Sequence, residues 1–277
     1  MHRAGIALVL VACASAAPVQ RPAPTAAKPE HVETKPFVFI GSIQVKNEIG
    51  AELASRLARG EPLKLTLRSS HADPAQWAEL ARRLTTSRPL GETFTFDSRA
   101  YPGSSDPATA AHRTATFVID FDEPAVVAVH DAILRESHET PAMDRLTRFV
   151  DGFIDDKNMQ RSFDVASRVA AHKEGDCSEH AVLLAALGRS FGYATRVVLG
   201  AVLLAEGDEV GAFGHAWVEY FEPKANAWQV ADAAMPADAK PRYVPLSVLV
   251  DEGPAFTRRV MDDIGVLALA AIRVERP

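Results

Sequence analysis

The sequence predicts an α+β protein in which helices pack on an antiparallel sheet. Three observations support this class. Apolar residues recur at helical spacing between 140 and 191, a strand–turn–strand pattern follows between 214 and 232, and residues 36–125 combine short strand patterns with two amphipathic segments. The chain has 277 residues, of which 47% are hydrophobic. It can therefore bury a sizeable core.

The first residues have the composition of an export signal. Residues 1–3 form a short basic end, residues 5–12 are an apolar stretch too short to span a bilayer, and small residues follow. We therefore interpret residues 1–16 as a signal peptide. Residues 17–35 are rich in proline and alanine, which predicts an extended, semi-rigid tether.

Two processing routes fit this leader. The Leu-Val-Ala-Cys segment that ends at Cys13 resembles a bacterial lipoprotein signal, in which Cys13 becomes the lipidated first residue. The Ala-Ser-Ala segment that ends at Ala16 instead suits ordinary signal cleavage and a soluble periplasmic protein. We favour lipidation of Cys13, which would be the protein's one attachment to the membrane. A mature N-terminus at Ala17 in a soluble fraction would exclude it.

Residues 36–125 are predicted to form a small α+β or mostly β region. Its helix candidates are 48–58 and 74–84, by apolar spacing. No chemical motif occurs in it, so it either recognises a substrate or extends the core. Its predicted strands are 37–45, 63–67, 93–96 and 113–121, the last from the alternation of Ala115, Phe117, Ile119 and Phe121.

Residues 126–242 are predicted to form the functional core, which opens with three helices. The first is capped by Thr140 with Pro141 in its first turn, and the second is capped by Ser162. The third begins in the segment 175–181 and stops at Gly192, a natural C-terminal residue.

Strands are predicted to complete this core. An apolar strand over 194–204 is followed by a polar loop over 205–213, which would border a cleft, and then by the hairpin. Residues 243–277 are predicted to be a C-terminal extension packed on the core.

Cys177 is the leading candidate for reactivity. The chain has two cysteines, and Cys13 lies in the leader, so Cys177 has no partner for an intrachain disulfide. It stands where a glycine-marked turn enters an apolar helix. The first N–H groups of a helix favour a thiolate, which is the nucleophilic form. A small cysteine that only packs in the core is the alternative.

The hairpin supplies a candidate base. If Phe221 pairs with Asn226 across the turn 222–225, His215 faces Asp232 directly. A histidine held by a carboxylate is the base that a cysteine nucleophile needs.

These residues resemble the bacterial transglutaminase-like superfamily. The resemblance rests on Gly-Asp-Cys-Ser-Glu-His-Ala at 175–181, on Gly-His-Ala-Trp at 214–217 and on Trp-Gln-Val-Ala-Asp at 228–232. It covers about a third of the chain. It implies a papain-like core, in which a nucleophile-bearing helix packs on an antiparallel sheet. It also implies that Cys177 is the nucleophile, His215 the base and Asp232 the residue that orients the base.

The expected activity is acyl transfer through a thioester. We expect a protease or amidase that acts on protein or peptide substrates of the cell envelope. The alternatives are a protein-crosslinking transglutaminase, in which an amine replaces water, and a noncatalytic envelope-binding module that keeps the fold.

Two neighbours of Cys177 are interpreted more plainly, and several ligand classes are not expected. We take His180 as a packing residue and Glu179 as a first-turn charge favoured by the helix dipole. The formal net charge of −6 argues against a nucleic-acid partner. The histidines show no metal-site spacing, so neither a metal nor a cofactor is expected. The sequence gives no oligomeric state.

Overall fold

The structure is a computed structural model that describes residues 46–47, 51–61, 63–68, 75, 93–97, 101, 106–158, 163–206, 209–236, 238–249, 260 and 271–274. All of these lie in the unit Thr34–Pro277. The predicted leader and tether with Cys13, the predicted strand 37–45, nearly all of the predicted helix 74–84, and Ser162 lie outside the described residues.

Five α-helices and a short 3₁₀ helix (Ala110–His112) have their bounds within the described residues. The α-helices are α1 (Ala51–Ala58), α2 (Pro124–Ser137), α3 (Met143–Phe153), α4 (Ala166–His172) and α5 (Cys177–Ser190). Helices α3 and α4 begin later than predicted. Ala142 is the residue before α3, and the carbonyl of Pro141 accepts a hydrogen bond from Tyr193 Oη at 3.0 Å outside the helix.

Helix α5 is buried along almost its whole length, from 177 to 189. Its sequence explains this, because alanine and leucine occur on every side of the helix and leave no polar face. It packs between the helices α3 and α4 on one side and the core sheet on the other.

The core sheet is antiparallel and has four described strands. Its strand order is β6-β5-β4-β7, so the long β4–β5 hairpin lies at its centre. The loop predicted over 205–213 is wrong, because β4 and β5 stay paired as far as Glu206 and Glu209. The strands are β4 (Thr195–Glu206), β5 (Glu209–Glu222), β6 (Ala227–Ala231) and β7 (Arg242–Leu249).

The β5–β6 hairpin forms with a register two residues away from the predicted one. Phe221 pairs with Trp228 rather than with Asn226, which lies inside the turn with a φ of 49°. A shift of two residues keeps the same side chains on the same face, since side chains alternate with a period of two. His215 and Asp232 therefore remain on one face, as diagonal rather than directly opposed neighbours.

A second sheet joins strands from both ends of the chain. Its order is β1-β8-β2-β3, and β8 pairs parallel with β1 and antiparallel with β2. Its strands are β1 (Lys46–Asn47), β2 (Lys64–Arg68), β3 (Thr93–Asp97) and β8 (Ala271–Val274).

The predicted segment 243–277 is therefore not one extension on the core. Its first part is β7 of the core sheet, which the predicted boundary at 242 cuts, and its last strand belongs to the other sheet. No helix among the described residues is long and apolar enough to cross a membrane.

The predicted strand 113–121 is irregular chain that crosses the core. Val118 and Ile119 are adjacent and both buried, whereas Phe117 is 67% exposed, so burial does not alternate. Arg189 holds this segment, because its Nη1 donates to the carbonyl of Thr114 at 2.8 Å. The segment is an irregular stretch of chain that covers part of the core, not a strand.

Candidate active site

A reciprocal capping box orders the start of α5. The Asp176 carboxylate accepts a hydrogen bond from the backbone N–H of Ser178 at 2.8 Å, and the Glu179 carboxylate accepts one from the N–H of Asp176 at 3.0 Å. Gly175 precedes the box with a φ of +144°, and a Cβ there would lie 2.3 Å from Cβ of Glu179. The sequence Gly-Asp-Cys-Ser-Glu thus fixes the backbone that carries Cys177.

Glu179 also ties α5 to the preceding loop. The side chain is fully buried, and its Oε1 accepts a hydrogen bond from the N–H of Asp164 at 3.0 Å. Burial raises the pKa of Glu179 to about 7, and the charge of Asp176 adds to this. Glu179 therefore lies in the first turn, as the sequence predicted, but it is a buried structural carboxyl.

Cys177 occupies the first position of α5, where its side chain is almost fully buried. Burial raises the pKa of the Cys177 thiol well above its ordinary value, and the charge of Asp176 raises it further, whereas the backbone amide of Ala216 lowers it. The direction is opposite to the one expected from the helix end alone. The resting thiol therefore keeps its proton, and a base must take it.

His215 and Asp232 form a tight pair. Nε2 of His215 lies 2.6 Å from Oδ2 of Asp232, and both side chains are buried. Nδ1 of His215 is buried without a hydrogen-bond partner among the described residues. The carboxylate thus engages one ring nitrogen and leaves the other available to a proton donor.

Asp232 lies just beyond β6 and is held by two further donors. The backbone N–H of Ala234 donates to its Oδ1 at 3.0 Å, and the hydroxyl of Tyr243 donates to its Oδ2 at 2.9 Å. Tyr243 is on β7, at the opposite edge of the core sheet, so its side chain links the two edges. No local pattern in the sequence indicates this contact, because Tyr243 follows Asp232 by eleven residues and lies on another strand.

Aromatic rings support His215. Its ring is stacked with that of Trp217 at 6.0 Å between centroids and with that of Tyr243 at 6.3 Å. Nε1 of Trp217 donates to the hydroxyl of Tyr101 at 2.8 Å. Gly200 leaves room for this packing, since a Cβ there would lie 2.8 Å from the Trp217 ring.

A buried ion pair continues the same face of the sheet. Nε of Arg196 donates to Glu219 at 2.6 Å, and the guanidinium lies 3.8 Å from the centroid of Trp228. Tyr101 also donates to Glu219. His112 packs edge-on against Trp228, and burial lowers the pKa of His112 to about 4, so that this ring is neutral. These contacts hold the side chains on this face of the sheet in place.

A cavity of about 120 Å³ opens beside Cys177. Its walls come from three places: the start of α5, the end of α3 with the chain that follows it, and the segment after Asp232. The lining residues are Asp151, Lys157, Gly175, Asp176, Cys177, His180, Ala234 and Pro236. His180, which the sequence assigned to packing, therefore contributes to the same cavity as the candidate nucleophile.

Within the described part of the chain, no group of three or more His, Cys, Asp or Glu side chains could hold a metal ion.

The family model of the transglutaminase-like superfamily matches residues 128–233. Residues 128–233 belong to the transglutaminase-like superfamily. The three candidate residues all lie inside this transglutaminase-like core, whereas Tyr243 and the second sheet lie outside it. The mixed helices and antiparallel sheet have the α+β fold expected of a transglutaminase-like core.

No curated protein matches this chain in sequence. Two solved structures that match parts of this chain are those of a candidate cysteine protease from Cytophaga hutchinsonii and of the periplasmic domain of TgpA from Pseudomonas aeruginosa bound to ethylmercury. The first is 15% identical with a TM-score of 0.39, and the match covers 58% of this chain and 49% of that protein, about half its length. The second is 13% identical with a TM-score of 0.36, and the match covers 67% of this chain and 94% of that domain.

Proposed function

We propose that this protein is a transglutaminase-like cysteine acyl-transfer enzyme of the bacterial cell envelope that hydrolyses protein or peptide amides. One observation carries the proposal. Cys177 at the start of α5 lines an open cavity and contacts the backbone amide of Ala216, the residue after His215, and the His215–Asp232 pair leaves Nδ1 of His215 without a partner among the described residues.

The first half of the proposed reaction forms a thioester. Nδ1 of His215 accepts the proton of the Cys177 thiol as the sulfur attacks the carbonyl carbon of the substrate amide. Asp232 holds the imidazole and stabilises the imidazolium that forms. The backbone N–H of Cys177, one of the first N–H groups of α5, stabilises the developing oxyanion. His215 then gives its proton to the leaving nitrogen, and the C–N bond breaks.

The second half returns the enzyme. Water attacks the thioester carbonyl, His215 accepts one of its protons, and the sulfur leaves and regains that proton. The product is a carboxylic acid. A primary amine in place of water would give a transamidated product by the same steps. The high pKa of the buried thiol makes proton transfer to His215 part of the attack rather than a step that precedes it.

The acyl intermediate is the test of this function. The purified protein is incubated with envelope proteins or with peptidoglycan peptides, with and without an added primary amine, and analysed by intact-protein and peptide mass spectrometry. We expect an acyl adduct on Cys177 and hydrolysed product, and neither in Cys177→Ala. An amine adduct that exceeds the hydrolysed product would favour crosslinking. Turnover that survives in Cys177→Ala would rule out the proposed mechanism.

The envelope location rests on the leader sequence. An oxidising compartment suits this chain. Apart from Cys13 its one thiol is that of Cys177, which has no partner for an intrachain disulfide and is buried away from oxidants. The mature N-terminal sequence, at Cys13 or at Ala17, is the check on export and on the lipid anchor.

A further inference from the structure

His180 has a defined hydrogen-bonding state beside the candidate nucleophile. It lies one turn into α5 with 2% of its surface exposed. Its Nδ1 is 2.6 Å from the carbonyl oxygen of Asp176. A carbonyl only accepts, so Nδ1 carries the hydrogen and donates. Burial lowers the pKa of His180, which keeps the ring neutral. Nε2 therefore carries a lone pair and acts as an acceptor.

This acceptor has no partner in the part of the chain that the structure describes. Nε2 of His180 is buried and makes no hydrogen bond to any described residue. An unsatisfied buried acceptor destabilises the folded protein, and a leucine or phenylalanine at the same place would avoid this loss. A residue that only packs has no need of this nitrogen.

The surroundings of His180 favour a ligand that donates a hydrogen bond. A helical side chain leans toward the N-terminus of its helix, which brings the His180 ring to the end that carries Cys177. Both residues line the 120 Å³ cavity. The cation in that cavity, Lys157, is already paired with Asp151. The wall thus offers acceptors, namely Nε2 and the carboxylates of Asp151 and Asp176.

We propose that His180 is a specificity residue whose Nε2 accepts a hydrogen bond from the N–H of the substrate amide that Cys177 attacks. The site then takes amides in preference to the matching esters, since an ester has no hydrogen at that position and leaves the buried nitrogen unpaired. This assignment rests on the proposed function of Cys177.

Matched substrates test the assignment. An amide and an ester with the same acyl group and the same leaving chain are compared by kcat/KM. We expect His180→Phe to lower kcat/KM for the amide at least tenfold and to change kcat/KM for the ester less than twofold. His180→Gln, whose side-chain oxygen restores an acceptor, should recover a large part of the amide activity.

The control is a second histidine, His130 of α2, which contacts the opposite end of α5. His130 is half-buried and hydrogen-bonds to Ser190 at 3.0 Å, so His130→Gln should leave the amide-to-ester ratio unchanged. The ester rate also reports folding, because a misfolded variant loses both activities.

Three results would overturn the assignment. Equal losses for amide and ester in His180→Phe would make His180 a structural residue, and unchanged amide activity would show that Nε2 meets no substrate. Ester hydrolysis that persists in Cys177→Ala would remove the proposed function and the role of His180 with it. The last result differs from the first two, because it appears without any change at position 180.

Discussion

Oδ2 of Asp232 accepts hydrogen bonds from two side chains. Nε2 of His215 lies 2.6 Å from it and the hydroxyl oxygen of Tyr243 lies 2.9 Å from it. Burial raises the pKa of Tyr243 well above its ordinary value, and the charge of Asp232 raises it further, so the hydroxyl keeps its proton and donates at neutral pH. Tyr243 therefore restrains the carboxylate that holds His215. It is a positioning residue, because its hydroxyl contacts Asp232 and its side chain does not line the cavity beside Cys177.

Replacing Tyr243 with phenylalanine tests this role. The ring packing against Trp217 is kept and one hydrogen bond to a charged group is lost. Such bonds contribute about 1.5–3 kcal/mol, so we expect kcat to fall roughly tenfold or more with little change in KM. Initial rates over a range of substrate concentrations measure kcat and KM separately.

Tyr193→Phe is the matched control. Its hydroxyl also makes one hydrogen bond, at 3.0 Å, but to the carbonyl of Pro141 rather than to Asp232. This variant should lose at most a little stability and keep kcat. A Tyr243→Phe variant that unfolds more easily but keeps kcat would show that Tyr243 acts only on stability.

The three candidate residues could be chosen from the sequence because their signals are local. A glycine turn before an apolar helix marks Cys177, and the two strands of one hairpin carry His215 and Asp232. Tyr243 and the cavity role of His180 could not be chosen, because each depends on contacts between elements that are distant in the sequence. The high pKa of Cys177 was missed for the same reason, since burial depends on the packed core.

At the scale of elements, the hairpin shows what a local pattern can and cannot predict. The strands and their facing side chains follow from alternation, which is unchanged by a shift of two residues. The register depends on the turn, and there Asn226 adopts a positive φ of 49°, which asparagine tolerates better than most residues. That preference was the available signal that Asn226 belongs to the turn.

The start of α5 makes stability depend on pH. The pKa of Glu179 is about 7 in the folded protein against an ordinary value of 4.5, with burial as the main cause. Between these values the folded state holds a proton that the unfolded state has released. The stability from protonated Glu179 is thus complete below pH 4.5 and is lost as the pH rises through about 7.

Glu179→Gln should remove this dependence. Glutamine stays neutral, so we expect the free energy of unfolding of the variant to fall less than that of the wild type between pH 4.5 and about 7. Urea unfolding at a series of pH values measures it. Glu139→Gln, at an exposed position, should follow the wild type. Parallel curves for Glu179→Gln and the wild type would show that Glu179 does not titrate in this range.

At the scale of the whole molecule, the two ends of the chain meet in one sheet. β8 lies between β1 and β2, and it pairs Ile272 with Leu67 and Val274 with Leu65. Leu65 and Leu67 are almost fully buried. No local pattern in the sequence could reveal this pairing, because the two strands are separated by about 200 residues and each is short. The prediction of a C-terminal extension on the core failed for that reason.

A chain that ends at residue 270 should therefore lose order far from the deletion. Without β8, the backbone groups of β2 on that side have no strand partner, and Leu65 and Leu67 lose the residues with which they pair. We expect amide hydrogen exchange to speed up in Lys64–Arg68, while the amides of Glu209–Glu222 in the core sheet keep their protection. A chain that ends at Val274 keeps β8 and should exchange like the full-length protein. Unchanged exchange in β2 of the chain that ends at residue 270 would mean that β8 does not hold this sheet together. Faster exchange in both sheets would show that they unfold as one cooperative unit, so that the candidate active site depends on β8.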